Sequence, residues 1–185
     1  MNAAASAPAP LPEMSLPEWL VLSILSRRPA HGFAVAQLTA AGGTLGRVWQ
    51  IPKAVVYRAF GRLLDAGLIV PEGTEPGLGP QRTVYAATAD GRAAAQRWLH
   101  APVEHVREIR SVLLLKLALL DQAGENPADL LQAQRTTLEP IVAAIEERRA
   151  RSTGFDATLL AWRRANAVAA LDFLDTIAPA EPRHR

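Results

Sequence analysis

The chain has 185 residues, 49% of them apolar and 5% aromatic, with 20 Lys and Arg against 18 Asp and Glu for a formal charge of +2. That length fits one ordinary domain, or a small domain with an appendage, and an apolar fraction carried by aliphatics and alanine suits a helical core. The lack of cysteine excludes disulfide frameworks, thiolate metal sites and cysteine nucleophiles.

Residues 1–14, rich in Ala and Pro, have neither the basic nor the apolar region of a signal peptide and are expected to be disordered. A first helix opens at Ser15-Leu16-Pro17-Glu18, a capping box in which Ser15 accepts from the backbone of residue 18 and Glu18 reaches back. Residues 19–25 are nearly all apolar, which implies burial on more than one side. Arg27-Arg28-Pro29 ends the helix with cations at the carbonyl end of its dipole. A second helix is predicted over 31–41, with Phe33, Val35, Ala36 and Leu38 apolar and Gly42-Gly43 as its stop.

The third helix, 52–66, is the clearest. Proline is tolerated in its first turn because its missing N–H would lack a partner there anyway. Val56, Phe60, Leu63 and Leu64 recur at i, i+4, i+7 and i+8 as one apolar stripe. Arg58 and Arg62 lie opposite, beside the small residues Ala54 and Gly61, and Gly67 supplies the left-handed stop.

Leu68-Ile69-Val70 and residues 83–87 read as two strands of a hairpin across the Gly- and Pro-rich stretch 71–80. Thr88 caps a helix over 89–100 with Asp90 in its first turn. Farther on, Val106, Ile109, Leu113, Leu117 and Leu120 form a rough heptad seam, broadened by Leu114, Leu115 and Leu119, so that segment must bury several faces. Asn126-Pro127-Ala128-Asp129 starts another helix toward Arg151, with Pro140 either kinking it or dividing it in two. A last helix runs from about 156 to 177 with Leu160, Ala167, Leu171 and Leu174 as its stripe. The longest apolar run, 112–120, contains Lys116 and is far short of the roughly 20 residues that cross a membrane. A soluble, cytoplasmic protein is expected.

Charge is unevenly spread. Residues 1–100 hold nine Lys and Arg against six Asp and Glu, whereas 101–185 hold eleven against twelve. Between Glu18 and Asp65 there is no acidic residue, yet Arg27, Arg28, Arg47, Lys53, Arg58 and Arg62 all fall there. Such a stretch suits a surface that approaches phosphates.

Three helices followed by a hairpin is the order of a winged helix-turn-helix, whose third helix docks in a DNA major groove. The candidate DNA contacts are Lys53, Ala54, Tyr57, Arg58 and Arg62 on that helix, with Gln81 and Arg82 at the exit of the wing loop. Lys53 sits where backbone donors also point at a phosphate. Tyr57 flanks the apolar stripe, so its ring can pack while its hydroxyl reaches outward.

The segments resemble the PadR family of bacterial transcriptional regulators. The matching pieces are Leu22-Ser23-Ile24-Leu25 leading to His31-Gly32-Phe33, then Val56-Tyr57-Arg58-Ala59-Phe60-Gly61-Arg62-Leu63, Gly67-Leu68-Ile69, the run Gly79-Pro80-Gln81-Arg82-Thr83-Val84-Tyr85, and Thr88-Ala89-Asp90-Gly91-Arg92. Val56 stands where the family usually has leucine. Residues 110–120 look like the opening of the helical C-terminal domain of the longer members. The resemblance implies a mainly α protein: a winged helix-turn-helix with a two-stranded wing over 15–101, and a helical dimerisation and effector domain over 102–178, followed by a tail at 179–185. It implies a homodimer on a pseudo-palindromic operator, expected to be a repressor released by a small ligand. Trp98 and Trp162 are the candidate pocket residues for a flat aromatic effector. The rival reading is a winged-helix interaction module whose basic face meets an acidic protein.

No catalytic or metal constellation is present in the sequence. The Gly77-Leu78-Gly79 turn lacks the Lys-Ser/Thr of a phosphate loop. His100 and His105 are five apart, the wrong spacing for a shared helix face, and His31 reads as a helix-start residue.

Overall fold

The computed structural model describes residues 13–76 and 81–178 and divides into two compact units, residues 1–44 with 51–99, and residues 45–50 with 100–185. The expected disordered N-terminus up to residue 12, the loop end at 77–80 and the tail at 179–185 lie outside the described residues.

The first unit begins with α1 (Leu16–Arg27). Glu18 makes its half of the capping box, its Oε2 accepting from Ser15 N at 2.8 Å. Every residue from Glu18 to Leu25 is buried, so the helix is wrapped on all sides. A short strand β1 (Ala30–His31) follows, where the sequence reading began a helix, and α2 spans Gly32–Thr39. His31 is its N-cap, with Nδ1 accepting from Ala34 N at 3.0 Å.

Helix α3 (Lys53–Asp65) starts one residue later than expected, because Pro52 is its extended N-cap rather than its first turn. Its apolar stripe, Val56, Ala59, Phe60 and Leu63, is buried, and Gly67 at φ 67° closes it. The wing strands are β2 (Ile69–Glu75) and β3 (Arg82–Ala87), antiparallel, with a register irregularity between Pro71 and Gly73. Proline is accommodated because β2 is an edge strand. Strand β1 pairs with the other side of β3, so the sheet has three strands, in the order β1-β3-β2, rather than the two read from the sequence. Two residues carry no periodicity, and only pairing to β3 defines them as a strand.

Helix α4 (Ala89–His100) is locked to the end of α3. Thr88 Oγ1 lies 3.1 Å from Gly67 O and 3.2 Å from Leu68 O, and it accepts from Gly91 N at 3.1 Å. A Cβ on Gly91 would fall 2.1 Å from Leu68 O, so only glycine lets these backbones meet. Trp19 of α1 and Trp98 of α4 stack with centroids 5.4 Å apart and planes 3° from parallel.

In the second unit the expected leucine-rich helix is segmented. A 3₁₀ turn at Val106–Glu108 and a π-turn at Ile109–Leu113 lead into α5 (Leu114–Ala123). Helix α6 (Ala128–Arg149) runs through Pro140 without division; the proline is exposed, so water can take the carbonyl it deprives of a partner. Helix α7 (Gly154–Ile177) returns antiparallel, cross-linked by Arg135 to Asp175 and by Arg164 Nη2 to Glu146 Oε1 at 2.8 Å. Leu113, Leu120, Leu130, Leu131, Leu138, Ala170 and Leu174 form the core together with Val103. Gln134 clamps Val103 at both ends, accepting from its N at 2.8 Å and donating to its O at 2.9 Å. Among the described residues, no helix is long and apolar enough to cross a membrane.

Candidate nucleic-acid interface

Burying the stripe of α3 turns its other side outward. Lys53, Ala54, Tyr57, Arg58, Gly61 and Arg62 are all exposed, at the i, i+3, i+4, i+7 spacing of one helical face. The carboxylate of Asp65 lies at the far end of the helix.

Tyr57 is 47% exposed, and its ring is seated on Gly32, where an added Cβ would lie 2.9 Å from Cε1. The glycine of the His31-Gly32-Phe33 run therefore sets where the tyrosine stands. Phe33, beside it, lies beneath two cations, with Lys53 Nζ 5.3 Å and the Arg82 guanidinium carbon 4.6 Å from its ring centroid. Lys53 is also 5.8 Å from the centre of the Tyr57 ring. Through Phe33, the first residue of α3 and the first residue of β3 are held against one aromatic ring. Phe60 supports the arrangement from below, edge-on to Tyr85 of β3 at 5.3 Å. Between α3, the start of α2 and β3 lies a cleft of about 760 Å³ that Gln81 and Arg82 border.

The acid-free interval of the sequence is not acid-free in space. Arg62 Nη1 donates to Glu18 Oε1 at 3.2 Å, and His31 Nε2 lies 3.6 Å from Glu75 Oε2 of the wing. Arg62 thus stands opposite the apolar stripe, as the periodicity requires, but is engaged by α1. Arg58 makes no hydrogen bond, ion pair or ring contact among the described residues.

The structure brings Lys53, Tyr57, Gln81 and Arg82 around one cleft and leaves Ala54, Arg58 and Arg62 on the same exposed helix face. Trp98 is buried in the first unit against Trp19, and Trp162 belongs to the second unit, 65% exposed on α7. The sequence reading missed the aromatic brace of Phe33, which it counted only as an apolar position of the second helix. The only sequence signal was an aromatic next to Gly32 in a run otherwise read as helix. Among the described residues, no group of His, Asp or Glu could hold a metal ion.

A three-helix unit whose third helix faces outward beside a β-hairpin is a winged helix-turn-helix. Residues 21–97 match the family model described as "Transcriptional regulator PadR-like family", which covers the winged-helix unit. Members of the family are transcriptional regulators, not enzymes. No curated protein matches the chain. Among solved structures, the chain is similar to PadR of Bacillus subtilis in complex with operator DNA, at 18% identity and a TM-score of 0.44 over 90% of this chain and 100% of that one. It is also similar to two proteins of Streptococcus mutans UA159. The protein smu.1704 is 24% identical with a TM-score of 0.37, over 44% of this chain and 71% of that one. For smu.1604c the identity is 16% and the TM-score 0.41, over 86% and 96%.

Proposed function

We propose that this PadR-like regulator binds a pseudo-palindromic DNA operator as a homodimer, placing α3 of each copy in a major-groove half-site and the β2–β3 wing along the flanking backbone. One observation carries the reading: the exposed face of α3 is joined by Phe33 to a wing cation, so Lys53 and Arg82 present charge from two elements as one rigid surface. Such a surface suits phosphate contacts that fix the register of a helix in the groove. Selection of bound duplexes from a random pool, followed by gel shifts across a salt series, tests it. A two-fold symmetric site is expected, with log K falling by about 0.9 per neutralised phosphate against log salt. Binding without sequence preference and with a flat salt response would instead favour an acidic protein partner.

The homodimer is supported by the far half of the α6–α7 hairpin. The buried core of that unit gathers toward the start of α6 and the end of α7, whereas Phe155 is 77% exposed and Trp162 65%. Large apolar side chains at helical spacing on one exposed face fit a second copy of the chain. We further propose that the protein works in the cytoplasm and represses until a small ligand releases it. The resemblance of residues 110–120 supports the ligand response, and thermal shifts across an aromatic compound library test it. The close stacking of Trp98 on Trp19 does not favour Trp98 as a pocket residue.

A further inference from the structure

We infer that Arg58 is the residue of α3 that reads a base, and that each half-site carries a guanine opposite it; this rests on the operator-binding reading above. The cations around the interface are sorted by what already holds them. Arg62 lies in the third turn of α3 with its guanidinium on Glu18, and that carboxylate is itself buried and fixed by Ser15 N at 2.8 Å. A guanidinium tied to α1 contributes charge near the backbone. Lys53 and Arg82 lie over Phe33 on the wing side. Arg58 is one turn in from the start of α3, exposed, and without a partner among the described residues. Residues near the start of a recognition helix are the ones that meet base edges, and a guanidinium matches the paired acceptors O6 and N7 of guanine.

Gly61 adds a second, independent observation. A Cβ there would meet nothing within 4 Å, so the packing of the protein does not require glycine in the middle of this helix. Ala54, four residues before Arg58, is also small and exposed. With the Tyr57 ring held against Gly32, they leave Arg58 as the one cationic side chain between two small residues, a helix surface that can lie close to base edges while a single fork projects from it.

The test uses the full chain and three proteins: wild type, Arg58→Lys and Arg62→Ala. Each is measured on the duplex selected by the wild type and on the same duplex with the guanine replaced in both half-sites. Wild type is expected to discriminate by roughly 5- to 150-fold per half-site. Arg58→Lys keeps the charge but loses the planar fork, so it should bind both duplexes nearly alike with an unchanged salt slope. Arg62→Ala should weaken both equally and keep the preference. An Arg58→Lys protein that still discriminates, or an Arg62→Ala protein that does not, overturns the inference and leaves the operator reading intact. A wild-type protein that selects no sequence overturns both.

Discussion

Replacing Lys116 by methionine tests how burial and charge are balanced in the second unit. Its side chain is 2% exposed, and Nζ donates to Ala101 O at 2.6 Å. Burial lowers its pKa from 10.5 to about 8, with the nearby Glu108 carboxylate acting the other way. That depression corresponds to about 3 kcal/mol of preference for the neutral amine in the folded chain. Below pH 8 both folded and unfolded chains bind the proton, so the folded state carries the whole cost. Between 8 and 10.5 only the unfolded chain binds it, and stability from this group rises with pH. Above 10.5 both are neutral and the cost is gone. Methionine removes this dependence but leaves Ala101 O without its donor, which costs about 1–3 kcal/mol. Near pH 7 the two effects nearly cancel, so the slope is diagnostic and the absolute stability is not. Only Lys53 and Lys116 are lysines and only Tyr57 and Tyr85 tyrosines, so few other groups titrate in that window, and those few cancel in the comparison. Urea unfolding of wild type and Lys116→Met from pH 7 to 10.5, at one protein concentration, should give curves whose separation changes by about 2–3 kcal/mol in favour of wild type as pH rises. Parallel curves would refute the reasoning.

Other expectations concern packing, the interface and assembly. Gly91→Ala forces a methyl against Leu68 O and should cost about 3 kcal/mol in denaturant unfolding, whereas Gly61→Ala, with open space around it, should be neutral or stabilise by up to about 1 kcal/mol. If Gly91→Ala unfolds at the wild-type midpoint, the contact between α4 and the end of α3 is not tight. Phe33→Leu removes the ring shared by Lys53 and Arg82 and should weaken operator binding about five- to tenfold in gel shifts, with the fold unchanged by circular dichroism. Full affinity in that variant would show that the brace does not orient the cations. Phe155→Glu with Trp162→Glu should give a monomer in sedimentation where the wild type gives the proposed dimer, and a wild-type dimer that both charges leave intact would place the interface elsewhere.

Much of the winged-helix unit was legible residue by residue. The stripe of Val56, Phe60 and Leu63 set both the existence of α3 and its outward face, because a 3.6-residue period admits one solution. The Ser15–Glu18 box, Thr88 and Gly67 announced helix ends through local hydrogen bonding and backbone freedom, which act over three or four residues. The same locality explains the misses. The start of α3 slipped by one residue because Pro52 suits both the cap and the first turn. The leucine-rich stretch opens with 3₁₀ and π segments before α5, a difference in backbone hydrogen bonding that the spacing of apolar side chains does not report.

Sequence alone therefore determined which side of α3 is greasy, which is cationic, and that a hairpin follows. Only the tertiary structure decided what each cation does, because pairing is a matter of distance between residues far apart in the chain. Glu18 and Arg62 are 44 positions apart and 3.2 Å from contact atom to contact atom. Phe33 gathers Lys53 and Arg82, and β1 exists only because β3 lies beside it. Periodicity reports which face is buried; it carries no information about which distant side chain will stand on the other face.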